Sequence, residues 1–476
     1  GGGSSSSGGG SSGSSSGGGS YSGGSSSGSS SYDSSPSSGS SSSSSSGGDA
    51  SCSVILFILL VLIVVVAQIM IRERQSDSVG GDFSSAPLPA SRMLRPGLSQ
   101  LQRFDPNFSE IVFTDFCYSL FARVHEARGS GRLDDYAPYV AQSVRDLLKK
   151  RNAAGLTSVD EIVIGSFKIA AVRGLERPHV EVDIEIDANY TETIAGTMHR
   201  WYVIERWGLT RLRDILSPAP ENARADHCPK CGAALQTRTD GACLHCGTVI
   251  AGDNFQWFVR GIFTEKKDER PHELGGGSGD ESGRNMPTIY QPGLEQKRQE
   301  LTAADPKFTW AAFSDRVRHV AQELQAAWSS RDWNRARPYE TDALFQMHRY
   351  WIDEYTRQRL RNIVDDFKIT DIPLVKVTRD AFYDAITVRM YASGADYTVD
   401  DTGAIVGGSK FTRHWSEYWT FIRSRAAASA AARICPNCGG PRDEGQTAIC
   451  NFCGGKIVAG EFPWVLSRIE QDESYS

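Results

Sequence analysis

The octapeptide VEVDIEID, residues 180–187, decides the fold class of this 476-residue chain. Four β-branched side chains alternate with four carboxylates, which is the pattern of a β-strand with one buried and one solvated face. The apolar residues are Val180, Val182, Ile184 and Ile186, and the acidic residues are Glu181, Asp183, Glu185 and Asp187. Because the apolar side chains must point inward, we interpret the acidic stripe as a solvated face rather than as a metal site or a set of catalytic carboxylates.

Amphipathic helices are predicted before this strand. The pair Asp105-Pro106 suits a helix N-cap followed by proline in the first turn. Apolar residues then recur at helical spacing at positions 112, 116, 120 and 124, and a second helix is predicted after Pro138, ending near Lys150. Helices followed by antiparallel strands indicate an α+β domain, in which helices wrap a curved sheet and enclose a cone with an apolar mouth.

The same unit occurs twice in the chain. Four pairs of segments match in the same order, at shifts of about 200 residues, which excludes chance similarity. PGLSQ at residue 96 matches PGLEQ at residue 292, and DPNFS at 105 matches DPKFT at 305. FKI at 167 matches FKI at 367, and ERWGLTR at 205 matches EYWTFIR at 417. The sequence therefore predicts two cone domains in tandem.

A four-cysteine unit, C-x2-C-x11-C-x2-C, follows the strands of each copy. One tight turn can present the two sulfurs of a C-x2-C pair, and the glycine behind it adopts the backbone conformation that the turn needs. Disulfides and an iron–sulfur cluster are the alternatives, but two identical C-P-x-C-G ribbons favour zinc. Since four protein ligands leave no open coordination position, we predict two structural zinc ions. The ligands are Cys228, Cys231, Cys243 and Cys246 in the first ribbon, and Cys435, Cys438, Cys450 and Cys453 in the second.

Each ribbon is too small to build its own core, so metal binding is expected to supply most of its folding energy. The aromatic pairs Phe255/Trp257 and Phe462/Trp464 are expected to pack each ribbon on its neighbouring domain or on its own sheet. The remaining cysteines, Cys52 and Cys117, lie in apolar surroundings, and this usage fits a reducing compartment.

Residues 52–71, CSVILFILLVLIVVVAQIMI, predict a transmembrane helix, because twenty such residues span roughly 30 Å. No Lys or Arg precedes this segment, whereas Arg72, Arg74, Arg92 and Arg95 follow it. The positive-inside tendency therefore places the N-terminus outside and the C-terminal domains in the cytoplasm. The first fifty residues are nearly all Gly and Ser, and this tail is predicted to be disordered.

The predicted organisation follows the chain from the tail to the second ribbon. It comprises the tail (1–50), the transmembrane helix (51–72), a linker (73–95), the first domain (96–217), the first ribbon (218–263), a linker (264–291), the second domain (292–427), the second ribbon (428–469) and a short tail (470–476).

The D-P-x-F opening, the central helix pair and the closing E-x-W-x-(L/F)-x-R resemble the domain of the mitochondrial import translocase subunit Tim44 and its bacterial relatives. The resemblance covers roughly residues 96–217 and 292–425. It implies the nuclear-transport-factor-2-like cone fold and a non-enzymatic domain at the inner face of a membrane, here a bacterial inner membrane. Such a domain contacts lipid through an apolar pocket or helix and scaffolds protein partners. The anchor, the ribbons and the tandem arrangement differ from the mitochondrial member, so a role in an import motor is not implied.

We therefore expect a membrane-anchored, non-catalytic binding or scaffold protein, with membrane lipid and a protein or peptide as partners. No catalytic or cofactor-binding residue is assigned, and the sequence does not determine the oligomeric state. The first alternative is an enzyme that uses a cone pocket on a small apolar substrate. A dense cluster of buried polar groups inside a cone would favour the enzyme, and an apolar lining would favour binding. His125, His199 and His348 lack counterparts in the other copy, and such lone histidines are more often structural.

The second alternative is a nucleic-acid-binding protein, because zinc ribbons also occur in that class. Binding of this kind needs a cationic face that neutralises phosphates. The net charge is −6, and the first ribbon offers only Lys230 and Arg238 against Asp240. The charge pattern therefore disfavours nucleic acid.

Overall fold

In a computed structural model of the chain, the described residues extend from 97 to 475 and belong to one compact unit. The predicted tail, transmembrane segment and first linker lie outside them. Among the described residues, no helix is long and apolar enough to cross a membrane. Within this range the structure does not describe residues 219, 221–222, 224, 226, 229, 232, 239–240, 251, 253–255, 270–280, 426–434, 436, 441–448 and 456–461.

The first copy is a helical layer on a four-stranded antiparallel sheet, in strand order β1-β2-β3-β4. Its apolar strand residues, predicted from the alternation at 180–187, are at most 1 % exposed. The predicted α+β class is thereby confirmed. The elements are two short 3₁₀ helices (Leu98–Arg103 and Leu133–Tyr136), α1 (Glu110–Gly129), α2 (Gln142–Arg151), β1 (Leu156–Arg173), β2 (His179–Ile194), β3 (Thr197–Leu212) and β4 (Phe258–Glu269).

The second copy repeats this plan, with its first strand divided into two. Strands β5 and β6 both pair with β7, and residues Ile372 and Pro373 separate them, since proline cannot donate to the ladder. The elements are two short 3₁₀ helices (Ser282–Asn285 and Trp333–Ala336), α3 (Leu294–Ala304), α4 (Trp310–Ser330), α5 (Asp342–Arg357), β5 (Leu360–Asp371), β6 (Leu374–Arg379), β7 (Tyr383–Asp400), β8 (Ile405–Ser424) and β9 (Val465–Gln471).

Each ribbon lies between the last two strands of its own sheet. Strand β4 pairs with β3, and β9 pairs with β8, although a cysteine unit separates the partners in the chain. The boundary predicted between residues 263 and 264 therefore falls inside β4, and the linker begins later. The charged run from Glu265 to Glu269 concealed this edge strand, because its alternate side chains face solvent.

The aspartates of the D-P pairs are not helix N-caps, which corrects the prediction. Ser109 and Thr309 cap α1 and α4, and their hydroxyls accept hydrogen bonds from the amides of Val112 and Ala312. The carboxylate of Asp105 accepts instead from Arg211, near the end of β3, and from Ser217, in the segment that follows the strand. A cap needs only a short polar side chain, so Ser and Thr can fill the position while the aspartate bonds elsewhere.

Helix α1 packs against both copies. One side belongs to the core of the first sheet, which includes Phe121 and Val124. On the other side Ile111 contacts a cluster of the second copy that contains Tyr383 and Val465, and Glu110 lies 3.1 Å from the ammonium of Lys376. A second contact joins Arg357 of α5 to Glu161 of β1, at 3.0 Å, and Arg200 of β3 lies 3.7 Å from Glu354 of α5.

The outer faces of the two sheets differ. On the first sheet the acidic stripe is partly exposed and ion-paired, as when Glu181 accepts from Arg260 at 2.8 Å. Within the described part of the chain, no group of possible metal ligands includes a residue of this stripe. On the second sheet Arg389 is fully buried, donates to the carbonyl of Met286 and pairs with Asp472. Residues 281–290, predicted to be linker, thus cover the sheet.

Candidate metal centres and the shared motif

The eight predicted cysteines form two groups of four, one in each ribbon. In each group all ligand sulfurs lie within 4.8 Å of one another. Their closest described pairs are 3.9 Å apart in the first ribbon and 3.8 Å apart in the second. A tetrahedral ion with Zn–S bonds of about 2.3 Å places its sulfurs about 3.8 Å apart. These separations exclude disulfides, whose sulfurs are about 2.05 Å apart, and they fit a single tetrahedral ion.

Local backbone geometry explains the C-x2-C-G spacing. Gly247, Gly439 and Gly454 have φ of 69°, 73° and 70°, a region that other residues rarely adopt. Each of these glycine amides donates to the carbonyl of the first cysteine of its pair, at 2.9 Å. The turn that results brings both sulfurs to one side. Gly232, the fourth predicted turn glycine, lies outside the described residues.

The two groups differ in their exposure to solvent. In the second ribbon all four cysteines are buried, and none is more than 5 % exposed. In the first ribbon Cys228 and Cys243 are buried, but Cys231 and Cys246 are exposed. The second group lies in an apolar cluster that includes Ile111 of the first copy, whereas the described apolar neighbours of the first group are Ile250 and Leu235.

Several contacts hold the second ribbon against its domain. The ring of Phe452 lies 4.4 Å from the guanidinium of Arg337, and the amide of Asp342 donates to the carbonyl of Cys438. The side chain of Asn437 accepts from the amide of Ser424 at 2.8 Å and donates to the carbonyl of Pro463 at 3.1 Å. One asparagine therefore joins the ribbon to β8 and to the segment before β9.

The first ribbon is held by fewer described contacts. The hydroxyl of Tyr139 donates to the carbonyl of His227 at 2.6 Å, and Leu235 packs against the core of the first sheet. Lys230 and His245 stand where the second ribbon has Asn437 and Phe452, and Lys230 is exposed. At these two positions the first ribbon therefore has no asparagine or phenylalanine to make the contacts that Asn437 and Phe452 make in the second ribbon.

The tryptophan that follows each ribbon in the sequence packs on the neighbouring domain, which was one of the two predicted arrangements. Trp257 meets Phe113 edge-to-face at 5.0 Å, and Trp464 meets Phe313 in the same way at 5.3 Å. The guanidinium groups of Arg211 and Arg423 lie over these tryptophans, at 4.8 and 4.5 Å. Phe255 lies outside the described residues, and Phe462 is buried in the cluster around the second cysteine group.

The repeated polar residues bond to one another in both copies. The arginine that closes each E-x-W motif pairs with the aspartate of the D-P-x-F motif: Arg211 with Asp105 at 2.7 Å, and Arg423 with Asp305 at 2.8 Å. The glutamate of each motif accepts from the indole two residues later, at 2.8 Å in the first copy and 2.9 Å in the second. These residues therefore tie the start of the helical layer to the third long strand.

The sequence did not reveal a buried polar cluster inside the first copy. There the imidazole of His125 lies 3.3 Å from Glu205, and Glu192 accepts from both Arg128 and Lys267, at 2.7 and 2.9 Å. Burial lowers the pKa of His125, against the opposing charge of Glu205. No sequence signal pointed to these residues, because Glu192 lies beyond the alternating stretch 180–187 and Lys267 lies in a segment predicted to be linker.

The second copy contains a different polar set. His348 lies 2.7 Å from Glu340, and both side chains are fully buried. Asn362 donates to Asp396 at 2.8 Å, and Asp396 also accepts from Arg413 at 2.9 Å. His199, by contrast, pairs with Glu269 near the surface at 2.7 Å. The three histidines noted in the sequence thus each have a carboxylate partner.

Comparison with known proteins identifies one part of the chain. No curated protein matches it. One matching solved structure is an NTF2-like protein involved in plasmid conjugation, with 9 % sequence identity over 76 % of this chain and 97 % of that chain, and a TM-score of 0.18. At that TM-score the likeness supports no inference about fold or function. The family model of the Tim44-like domain matches residues 294–432, which extend from α3 through β8. Residues 294–432 of this chain are therefore similar to the Tim44-like domain.

Proposed function

We propose that this chain is a membrane-anchored, non-catalytic binding protein in which two Tim44-like units hold apolar peptide or lipid and two zinc ribbons brace them. The observation that carries the proposal is the mutual pairing of the repeated motif residues. Asp105 and Arg211 are fully buried against each other, and Glu205 bonds to the indole of Trp207. Residues that duplication has kept in both copies thus serve the architecture, and Tim44-like domains are in general binding domains.

The two ions are proposed to be structural zinc. Four thiolates at tetrahedral spacing suit Zn²⁺, and they leave no coordination position for a substrate. The measurement is native mass spectrometry of the full chain purified without added metal, with two zinc ions expected per chain. The variant Cys438→Ser, which removes one ligand from the second group, is expected to retain one ion. A stable protein without metal would contradict the assignment.

Membrane anchoring is proposed from residues 51–72, together with the general association of Tim44-like domains with membranes. The flanking arginines favour an outside N-terminus and cytoplasmic domains. A reporter fused after Ser476 is expected to report a cytoplasmic location. A periplasmic signal from that fusion would refute the orientation but not the binding role.

The binding role is tested on the full chain in detergent micelles by the same mass spectrometry, with lipid extraction and peptide sequencing of the co-purified material. Bound phospholipid or an apolar peptide is the expected result. Chains that carry two zinc ions, but neither lipid nor peptide, and that bind no fluorescent fatty-acid probe, would overturn it. The control is a water-soluble fluorescent carboxylate of similar charge, which is not expected to bind.

A second candidate, an enzyme or a binder of small polar ligands, is favoured by the polar cluster of the first copy. That cluster brings the buried His125, Arg128, Glu192 and Glu205 together, with the exposed Lys267 at its edge. Its charges compensate one another, because Glu192 accepts from both cations, and this pairing supports a structural role. A metabolite library screened by thermal shift decides between them: a compound that stabilises the wild type but not Glu192→Gln would favour the polar-ligand role.

A further inference from the structure

The two cysteine groups offer different access to an incoming molecule. Cys231 and Cys246 are exposed, so half of the first group faces solvent. Every ligand of the second group is buried, in a cluster that includes Ile111, Tyr383 and Val465. The first group is therefore more open to a chelator or an electrophile than the second group.

We propose that the first ribbon is an exchangeable metal site with reactive thiolates at Cys231 and Cys246, whereas the second ribbon retains its ion. This inference rests on the proposal that both groups bind zinc. It adds that the two sites, whose cysteines have identical spacing, differ in how readily they exchange their ion.

Contacts around the sulfurs support the same division. In the second group Asn437 donates to the sulfur of Cys453 at 3.7 Å, and the same side chain bonds to Ser424 and Pro463. Such partners orient metal ligands and raise metal affinity, and their loss typically costs about 10–100-fold. Lys230 occupies the equivalent position in the first ribbon and is exposed. The first site therefore has no asparagine at the position from which Asn437 bonds to the sulfur of Cys453 in the second site.

The chemistry of exchange explains why an open side matters. Zinc accepts a fifth ligand readily, so a chelator can bind before the thiolates leave, provided that it can approach the ion. In the first ribbon the exposed residues Cys231 and Cys246 mark the side from which such an approach is open. In the second ribbon the ring of Phe452 lies against Arg337, and the ribbon would have to leave its domain before an approach opened.

Loss of the ion from the first ribbon is expected to disturb the first sheet. The ribbon joins β3 to β4, and Trp257 at its end lies under the guanidinium of Arg211 and against Phe113. The carbonyl of His227, next to the first ligand, also accepts from Tyr139. Metal release should therefore alter the fluorescence of Trp257, while the contacts of Trp464 in the second copy stay as they are.

The test follows zinc transfer from the full-length protein in micelles to the chromogenic chelator 4-(2-pyridylazo)resorcinol. Two phases of one equivalent each are expected, with the fast phase about 10–100-fold faster than the slow one. Brief treatment with N-ethylmaleimide, followed by peptide mass spectrometry, should modify Cys231 and Cys246 first. The buried Cys117 serves as an internal control and should remain unmodified.

Variants show which ribbon releases its zinc in each phase. Cys231→Ser should abolish the fast phase only, and Asn437→Lys with Phe452→His should speed up the slow one. Equal rates for both equivalents, or a fast phase that survives Cys231→Ser and disappears in Cys450→Ser, would overturn the inference while leaving the two zinc ions in place. A protein that binds no zinc would overturn the zinc assignment as well, so the two failures are distinguishable.

Discussion

Helices α1 and α4 align without a gap in the sequence, yet only α1 is buried on both sides. Their inward positions are alike, as Phe113 and Phe313 show, both 2–3 % exposed. Their outward positions differ, because Tyr118 is 7 % exposed whereas the Arg318 side chain is 50 % exposed. The comparison teaches that duplication kept the interior of the unit and that the exterior diverged according to what each copy touches.

The same contrast runs through the rest of the two copies. The motif pair Asp105–Arg211 is fully buried, whereas Asp305 and Arg423 are about one-fifth exposed. The second ribbon is enclosed partly by the first copy, whereas the first ribbon is half open. The two copies therefore contact each other through different helices: α1 of the first copy packs against the second sheet, and α5 of the second copy lies against the first sheet near Glu161 and Arg200. Val163 of the first sheet belongs to the apolar core of the second copy.

The largest difference is expected from the loss of one ligand in each ribbon. Cys438→Ser should unfold the second ribbon and remove its apolar cluster, because structural zinc contributes of the order of 10 kcal/mol to such folds. Cys231→Ser should unfold only the first ribbon, whose described apolar contacts are few. Thermal unfolding followed by circular dichroism is expected to show a much larger fall in Tm for Cys438→Ser. Equal falls would mean that the second ribbon does not support the interface between the copies.

The buried motif pair should cost more to break than its exposed counterpart. Asp105→Asn leaves the guanidinium of Arg211 buried without a countercharge, which typically costs about 3–5 kcal/mol. Asp305→Asn should cost about 1 kcal/mol or less, since solvent reaches Arg423 and Asp384 also accepts from it. Urea unfolding of both variants measures the difference. A larger loss for Asp305→Asn would refute the assignment of the first pair as the stronger constraint.

Exchange of the outward residues of the two helices tests the interface. Tyr118→Arg places a second guanidinium beside Arg468 of β9 and removes a ring that packs on Phe167, so a loss of about 3 kcal/mol is expected. The reverse change, Arg318→Tyr, affects an exposed position and should stay within about 0.5 kcal/mol. Chemical denaturation provides both values. If Tyr118→Arg were as mild as its control, α1 would not be packed between the copies.

The smallest effect concerns the pH dependence of the two motif glutamates. Burial opposes ionisation of Glu205, but the charge of His125 and hydrogen bonds from His125 and Trp207 outweigh it and lower the pKa to about 2. Burial raises the pKa of Glu417, against weaker opposition from Trp419 and Gln471. The contribution of Glu205 is therefore present above its unfolded pKa near 4.5 and is lost as the pH falls toward 2. That of Glu417 is present at low pH and is lost as the pH rises through its raised pKa.

Glu205→Gln should accordingly destabilise the protein by about 2 kcal/mol at pH 7 and by less at pH 4. Glu417→Gln should cost less than Glu205→Gln at pH 7, and its relative cost should grow toward pH 4. Urea unfolding of the wild type and both variants at the two pH values gives the comparison. Parallel pH profiles for the two variants would contradict the opposite shifts.

Much of this architecture was predictable because its signals are local. The cysteine spacing predicted which residues form each of the two four-cysteine groups, and the alternation at residues 180–187 predicted the buried side of β2. The position of Cys117 in an apolar helix also agreed with its burial. Each of these inferences depended on residues that are neighbours in the chain.

The failures concern contacts between distant residues. Asp105 looked like a helix cap because its partners, Arg211 and Ser217, lie more than a hundred positions away. The second half of β4 was predicted to be linker, and its exposed side chains are charged. Residues 281–290 were also predicted to be linker, because the glycine-rich run GGGSGDESG extends into them. Whether a charged strand pairs, or an irregular segment covers a sheet, depends on the tertiary partner rather than on local preference.

The insertion of each ribbon between paired strands has a consequence for the order of assembly. Strand β3 leaves the ribosome well before β4, and residues 213–257 must fold back before the edge of the sheet can close. Closing so long a loop costs entropy, which a folded ribbon reduces by shortening the free chain between the strands. Zinc supplied during synthesis would therefore speed completion of each sheet, and a shortage would leave an unpaired strand edge exposed to aggregation.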